Sequence, residues 1–211
     1  MTEHDPKAEQ YARKAAGWSD AEYADGEAYL AHRAELVVSL GVALGPGDEV
    51  LDLACGDGGL GAHLVARGLG YTGVDAEPEM VEAAKRRLGE RATVALGNLN
   101  TFAPDEPVAA TTVFRAIYYA DDRAAFFRRV ASFTERKLVF DLNPRQYRVA
   151  DVVAELEGAG FARVELRPFF VPQTRRLPRP AVELLQGVER VGPVARLALR
   201  VRFTYLVAAV R

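Results

Sequence analysis

Cysteine is almost missing from these 211 residues: Cys55 stands alone. That excludes an intramolecular disulfide and a cysteine-based zinc cluster. No stretch approaches the ~18 uncharged apolar residues that a membrane-spanning helix requires. The start, MTEHDPKAEQ, is polar and acidic, with no apolar segment behind it, so no secretory signal is read. The expectation is a soluble, cytoplasmic protein with no membrane span. Five like charges never occur in a row, which argues against a nucleic-acid-binding tail, and no nucleic-acid partner is expected. Internal repeats and low-complexity tracts are also lacking.

What is present is an ordinary globular composition. Apolar residues make up 49% of the chain, enough for a core, and the length fits one domain. The charge is uneven: residues 1–160 carry a net −9 and residues 161–211 a net +7. Such asymmetry marks a surface for an anionic partner, or only the arginine bias of a chain in which 23 of 27 basic residues are arginine.

The apolar pattern alternates between periods of about two and about 3.6 residues. Helices are predicted over 6–16 and 20–44, the second carrying Tyr23, Leu30, Leu36, Val37 and Leu40 on one face. Gly45-Pro46-Gly47-Asp48 stops it. Strands are then predicted at 49–54, 71–74, 92–96, 108–114, 137–142 and 161–170. Helices fall between them at 60–67, 78–88, 122–133 and 148–158, and a seventh strand lies within 197–211. Strands alternating with helices specify an α/β fold: a doubly wound, Rossmann-like seven-stranded sheet, mostly parallel, with an antiparallel hairpin at one edge. The chain divides into an N-terminal helical lid (1–45), a ligand-binding core (46–170), an insertion (171–196) and a final edge strand (197–211).

The first strand ends in Val50-Leu51-Asp52-Leu53-Ala54-Cys55-Gly56-Asp57-Gly58-Gly59-Leu60-Gly61. Glycines between a strand and a helix let a ligand approach the backbone closely. Gly56, Gly58 and Gly61 satisfy the dinucleotide fingerprint, and Asp75 lies 19 residues past Gly56. That spacing alone does not separate a nicotinamide enzyme from other nucleoside binders. Asp52 and Asp57 weigh on the choice, because a pyrophosphate at this turn would meet two like charges where helix amides should welcome an anion. A cationic ligand such as S-adenosylmethionine, with a sulfonium and an ammonium, would be attracted. The alternative roles are a helix-end cap for Asp57 and, for Asp52, a buried carboxylate satisfied by loop amides.

This segment, followed by Gly73-Val74-Asp75-Ala76-Glu77-Pro78-Glu79-Met80, resembles the class I S-adenosylmethionine-dependent methyltransferases, over about residues 48–143. The resemblance implies S-adenosylmethionine as methyl donor and S-adenosylhomocysteine as product. It implies that Asp52 and the turn of Ala54, Cys55, Gly56 and Gly58 face the methionyl part. Asp75 would accept hydrogen bonds from both ribose hydroxyls, and Ala76 and Met80 would pack on adenine. Asn98 and Leu99 would hold the adenine edge. Ala54 replaces the first glycine of the usual pattern, and Asn98 stands where an aspartate is common. After the fourth strand, Arg115 is a candidate for the cofactor carboxylate or the acceptor, and Tyr118 and Tyr119 for the acceptor pocket. Asn143 is placed near the pocket mouth.

In-line methyl transfer needs alignment above all, worth ~7–11 kcal/mol of the barrier, so no universal catalytic residue is expected. His32 is a candidate general base on the lid helix, and Arg33 a candidate partner for the cofactor carboxylate. Tyr11, Trp18 and Tyr23 are either an aromatic part of the lid or core. His4 falls in a frayed terminus, and His63 is expected in solvent. Cys55 reads as a packing residue rather than a nucleophile. No metal site is read. In the insertion, Leu184, Leu185, Val188 and Val191 form one helical stripe, while Arg175, Arg176, Arg179, Arg190 and Arg196 supply positive charge. This segment either caps an apolar or anionic acceptor or patches the sheet edge. Three functions follow: a small-molecule methyltransferase, an RNA or protein methyltransferase, and a non-catalytic or nicotinamide-binding Rossmann protein.

Overall fold

The computed structural model describes residues 24–173, 176–194, 197 and 204–211. The helix expected at 6–16, together with His4, Tyr11, Trp18, Tyr23, Arg175 and Arg196, lies outside the described residues. The strands are β1 (Glu49–Leu53), β2 (Gly70–Asp75), β3 (Thr93–Leu96), β4 (Val108–Val113), β5 (Thr134–Leu142), β6 (Arg163–Pro168) and β7 (Tyr205–Val210). They form one sheet in the order β3-β2-β1-β4-β5-β7-β6. The pairs β1–β2, β2–β3, β1–β4 and β4–β5 are parallel, whereas β7 runs antiparallel to both β5 and β6. The chain reverses direction across the sheet between β1 and β4. In doubly wound folds that switch opens a crevice at the carboxyl ends of the strands.

Helices cover both faces. Helices α1 (Gly26–Ser39), α2 (Gly59–Val65) and α3 (Pro78–Leu88) pack on one, through Val37, Leu64 and Leu88 against Val50, Tyr71 and Ala110. Helices α4 (Arg123–Phe133) and α5 (Val149–Gly158) pack on the other, where Phe127, Val130 and Leu156 meet Leu51, Leu138 and Phe140. The inner strands β1, β4 and β7 are buried on both sides, which is why they read as nearly continuous apolar runs. Helix α6 (Arg179–Glu189) lies in the connection between β6 and β7.

Boundaries differ from expectation for local reasons. Helix α1 starts at an Asp25 cap, whose Oδ1 accepts from the Ala28 amide at 3.2 Å, and it stops at Ser39 rather than Leu44. Gly41 then takes a left-handed φ of 74° hard against β7: a Cβ there would stand 2.8 Å from Val210 Cγ2. Strand β5 begins at Thr134, directly after α4, because the Thr134 and Thr111 hydroxyls bond at 2.6 Å and draw the chain into the sheet. Strand β6 is shorter than expected. Phe161 and Phe169 lie outside it as buried flanking residues.

A buried lysine completes α1. Lys137 on β5 donates from Nζ to the carbonyls of Leu40 at 2.8 Å and Val38 at 3.1 Å. The last turn of α1 has no basic residue of its own, so the sheet supplies a hydrogen-bond donor to its end carbonyls. Desolvation, with the Arg136 charge beside it, brings this amine from 10.5 down to about 7. The unfolded chain therefore binds more protons than the folded one between those values, and stability rises as pH increases through that window. Lys137→Met is expected to abolish that rise, as measured by urea unfolding at pH 7 and pH 10.

Candidate functional site

A cleft of about 550 Å³ opens at the carboxyl ends of β1, β2 and β4. The turn after β1 forms its floor. Ala54 sits at a φ of 67°, a left-handed conformation costing an L-residue roughly 1–2 kcal/mol, and the amides of Ala54 and Cys55 both donate to Val74 O. Gly56 N donates to Asp75 Oδ2 at 2.8 Å, and Glu77 N donates to Oδ1 at 3.0 Å. The end of β2 is thereby clamped to the glycine turn. Burial pushes the Asp75 carboxyl upward against the pull of these amides. Ala54, Cys55, Gly56 and Asp75 all line the cleft. Gly58 does not: at φ 74° it caps α2 and packs on Ala84 and Leu88 of α3, so its glycine serves the turn and the close approach of two helices.

The two carboxylates of the turn have unlike surroundings. Asp52 is buried, its Oδ1 accepting from Thr112 Oγ1 at 2.7 Å and its Oδ2 from Tyr71 Oη at 2.8 Å. Hydroxyls of the flanking strands, not loop amides, satisfy it. Desolvation raises its carboxyl to about 6 despite these two bonds. Asp57 is also buried, but Arg87 of α3 reaches it at 2.8 Å, and its Oδ1 accepts from Gly59 N at 3.2 Å. It is both a turn cap and half of an ion pair. The expectation of two carboxylates jointly selecting a cation is corrected accordingly: Arg87 offsets Asp57, and that attraction rests on Asp52. Burial and the neighbouring carboxylates push the Cys55 thiol well up, which suits a packing role.

Cations face these acids from opposite walls. Arg33 of α1 lines the cleft, donates to Tyr29 Oη at 2.8 Å and stacks 4.4 Å over the Phe114 ring. Arg115 follows β4 at a strained φ of 55°, held there by its amide bond to Asp141 Oδ1 at 2.7 Å. Beyond Asp75, Ala76 and Met80 line the wall formed by the start of α3, and Asn98 and Leu99 the wall after β3. Asn98 Oδ1 already accepts from Asn100 N at 2.8 Å. Tyr118 and Tyr119, in the 3-10 turn Ile117–Tyr119, are both exposed rim residues of the cleft with ring centroids 4.4 Å apart.

His32 does not reach the cleft. It points from α1 toward α6, where its Nε2 lies 2.6 Å from Glu189 Oε2 and its ring stacks on Phe169, which removes it as a general base. Of the two roles expected for the insertion, the cap over the cleft is not formed by its described residues. Among the described residues none of it lines the cleft. Helix α6 turns Val182 and Glu189 inward onto α1, leaves Leu184 68% exposed, and keeps Leu185 and Val188 half-buried away from the cleft. Asn143 is likewise outside the cleft lining; its Oδ1 accepts from Arg145 N at 3.0 Å. His63 is half-buried and lies 3.6 Å from Glu27 rather than in open solvent.

Several functional positions escaped the sequence reading. Asn100 donates from Nδ2 to Tyr119 O and accepts from Asp121 N, tying the loop after β3 to the tyrosine turn. Arg129 of α4 donates to the carbonyls of Leu99 and Phe102 and fixes the same loop from below. Arg87 and Glu189 act on residues 30 and 157 positions away, and no local spacing signals such pairs. Among the described residues no cluster of three or more His, Cys, Asp or Glu is arranged to hold a metal ion, and no helix is long and apolar enough to cross a membrane.

Comparison with known proteins agrees with this geometry. Residues 50–137 match the family described as methyltransferase domain. A Schizosaccharomyces pombe protein named as an uncharacterized methyltransferase is 38% identical over 80 residues, which are 38% of this chain and 30% of that protein. The match thus spans less than a third of that relative. Among solved structures, a chain of the complex between the Haloferax volcanii Trm112 methyltransferase activator and a methyltransferase superposes with a TM-score of 0.66 at 20% identity, covering 99% of both chains. Magnesium protoporphyrin IX methyltransferase from Synechocystis, solved with bound S-adenosylmethionine, gives a TM-score of 0.58 at 17% identity, over 100% of this chain and 86% of that one. Residues 50–137 thus match a methyltransferase domain, and the sheet order and the glycine turn clamped to Asp75 resemble those of the class I S-adenosylmethionine-dependent methyltransferases.

Proposed function

We propose that this chain transfers a methyl group from S-adenosylmethionine to a small-molecule acceptor by in-line displacement. One observation carries the reading: the Asp75 carboxylate, held by Gly56 N and Glu77 N at the mouth of a cleft that Asp52 also faces. A carboxylate oxygen has two lone pairs, so after these bonds Asp75 keeps acceptor capacity for two ribose hydroxyls. The residues present fit the cofactor. Ala76, Met80 and Leu99 offer apolar faces to adenine, Asn98 a polar edge, and Asp52 a negative charge to the ammonium. Arg33 and Arg115 bring positive charge to the same cleft for the carboxylate.

Bound S-adenosylmethionine supplies an electrophilic methyl group on a sulfonium. The chain supplies alignment. Leu30, Arg33 and Phe114 wall the cleft on the α1 side, and Tyr118 and Tyr119 stand at its rim where an acceptor enters. Such enclosure excludes water and holds reactants in line. The lid helix lining the cleft through Leu30 and Arg33 favours a small acceptor over RNA or protein.

Titration calorimetry with S-adenosylmethionine, S-adenosylhomocysteine and NAD tests the donor. Binding of both sulfur compounds and none of NAD is expected; the reverse pattern sinks the proposal. An S-adenosylhomocysteine-release assay across a metabolite panel and bulk RNA then tests the acceptor, with turnover on RNA alone as the contrary result.

A further inference from the structure

Tyr71 lies inside β2 with its ring in a slot made by two glycines. A Cβ at Gly61 would stand 2.6 Å from Tyr71 Cζ, and one at Gly73 would stand 3.1 Å from its Cε1. The third glycine of the fingerprint therefore admits this ring. The slot sets the phenol 2.8 Å from Asp52 Oδ2, while Thr112 of β4 donates to Oδ1 from the other side. Both strands that flank β1 thus lend a hydroxyl to one carboxylate on β1. Among the described residues, the other charged or titratable groups that act on Asp52 or are acted on by it include Arg33 from α1, Asp75 from β2 and Cys55 in the turn. Burial pushes the Tyr71 phenol well above its usual range, so it stays a donor.

We propose that Tyr71 is a positioning residue: its hydroxyl, acting with Thr112, keeps Asp52 ionised and aimed into the cleft, where the carboxylate holds the cationic nitrogen of the ligand. The proposal rests on the methyl-donor reading above and adds to it a chain-specific control of ligand binding by pH. A donor hydrogen bond to a carboxylate stabilises the charged form. Loss of one such bond to a charged group moves the titration upward by about one pH unit or more. Since Asp52 already titrates near 6, that displacement brings its protonation into the neutral range.

The test is Tyr71→Phe, which keeps the ring in its slot, with Thr112→Val as a second, ring-preserving variant. S-adenosylhomocysteine affinity is measured by calorimetry from pH 5.5 to 8.5. In parallel, the Asp52 carboxyl is titrated by carbon NMR in ligand-free protein. Both variants are expected to move the NMR midpoint up by about one unit or more. Affinity is expected to fall several-fold near pH 6.5 and to return close to the parent value at pH 8.5. Unchanged midpoints overturn the proposal and leave Tyr71 as packing only. A shifted NMR midpoint with no binding by the parent protein at any pH upholds the positioning role at Asp52 and overturns the methyl-donor reading instead.

Discussion

Asp75→Ala is expected to weaken S-adenosylhomocysteine binding by at least about 100-fold, the largest effect of any single change in the cleft. Two losses combine. The ligand forfeits its acceptor for the ribose hydroxyls, at about 1.5–3 kcal/mol for each hydrogen bond to a charged group. The turn also loses its clamp, because Gly56 N and Glu77 N both end on this carboxylate. Each 1.4 kcal/mol is a factor of ten in affinity. Asp75→Asn separates the two losses. Its amide oxygen still accepts from one loop amide, so it is expected to preserve the fold and lose an intermediate share of affinity. Calorimetry on both variants, with thermal melting as a control for folding, checks this. An Asp75→Ala protein that binds as tightly as the parent would remove the ribose from the end of β2.

Glu189→Ala is expected to destabilise the fold by several kcal/mol, since each buried group left without its hydrogen-bond partner costs about 1–3 kcal/mol. Glu189 is 1% exposed and has two partners: His32 Nε2 at 2.6 Å and the Phe170 amide at 2.5 Å. Alanine strands both in the interior between α1 and α6. Glu189→Gln keeps the acceptor for Phe170 N and is expected to cost less than half as much. Urea unfolding of the three proteins decides. A change below 1 kcal/mol for the alanine variant would mean that water reaches His32 and that α6 is loosely held.

These two residues also show how far the sequence could be read. Asp75 was legible because its signal is local: a strand ending in an acidic residue 19 positions beyond a glycine turn. The order of elements and the mixed edge were legible for a similar reason, since alternating periods and short connections leave few topologies. Glu189 was not legible. An acidic residue on an amphipathic segment reads as solvated, and only the docking of α6 on α1 turns it inward. The same docking took His32 away from the cleft and left Leu184 in solvent. Asp57 was half legible: its capping bond to Gly59 is a short-range pattern, while Arg87 arrives from the next helix. The replacement of glycine by Ala54 is legible in the sequence, but the left-handed backbone angle it adopts is seen only in three dimensions.

The sheet order has a temporal meaning. Strand β6 pairs with β7 alone, and β7 lies between it and β5. While the ribosome is still making residues 169–204, the lone strand has a bare edge on each side, and β5 shows an open flank that would accept it in the wrong orientation. The final architecture must wait until Tyr205–Val210 emerge and slot between two elements already made. Synthesis alone does not close this fold in order of appearance, and the nascent molecule is most exposed to mispairing late rather than early.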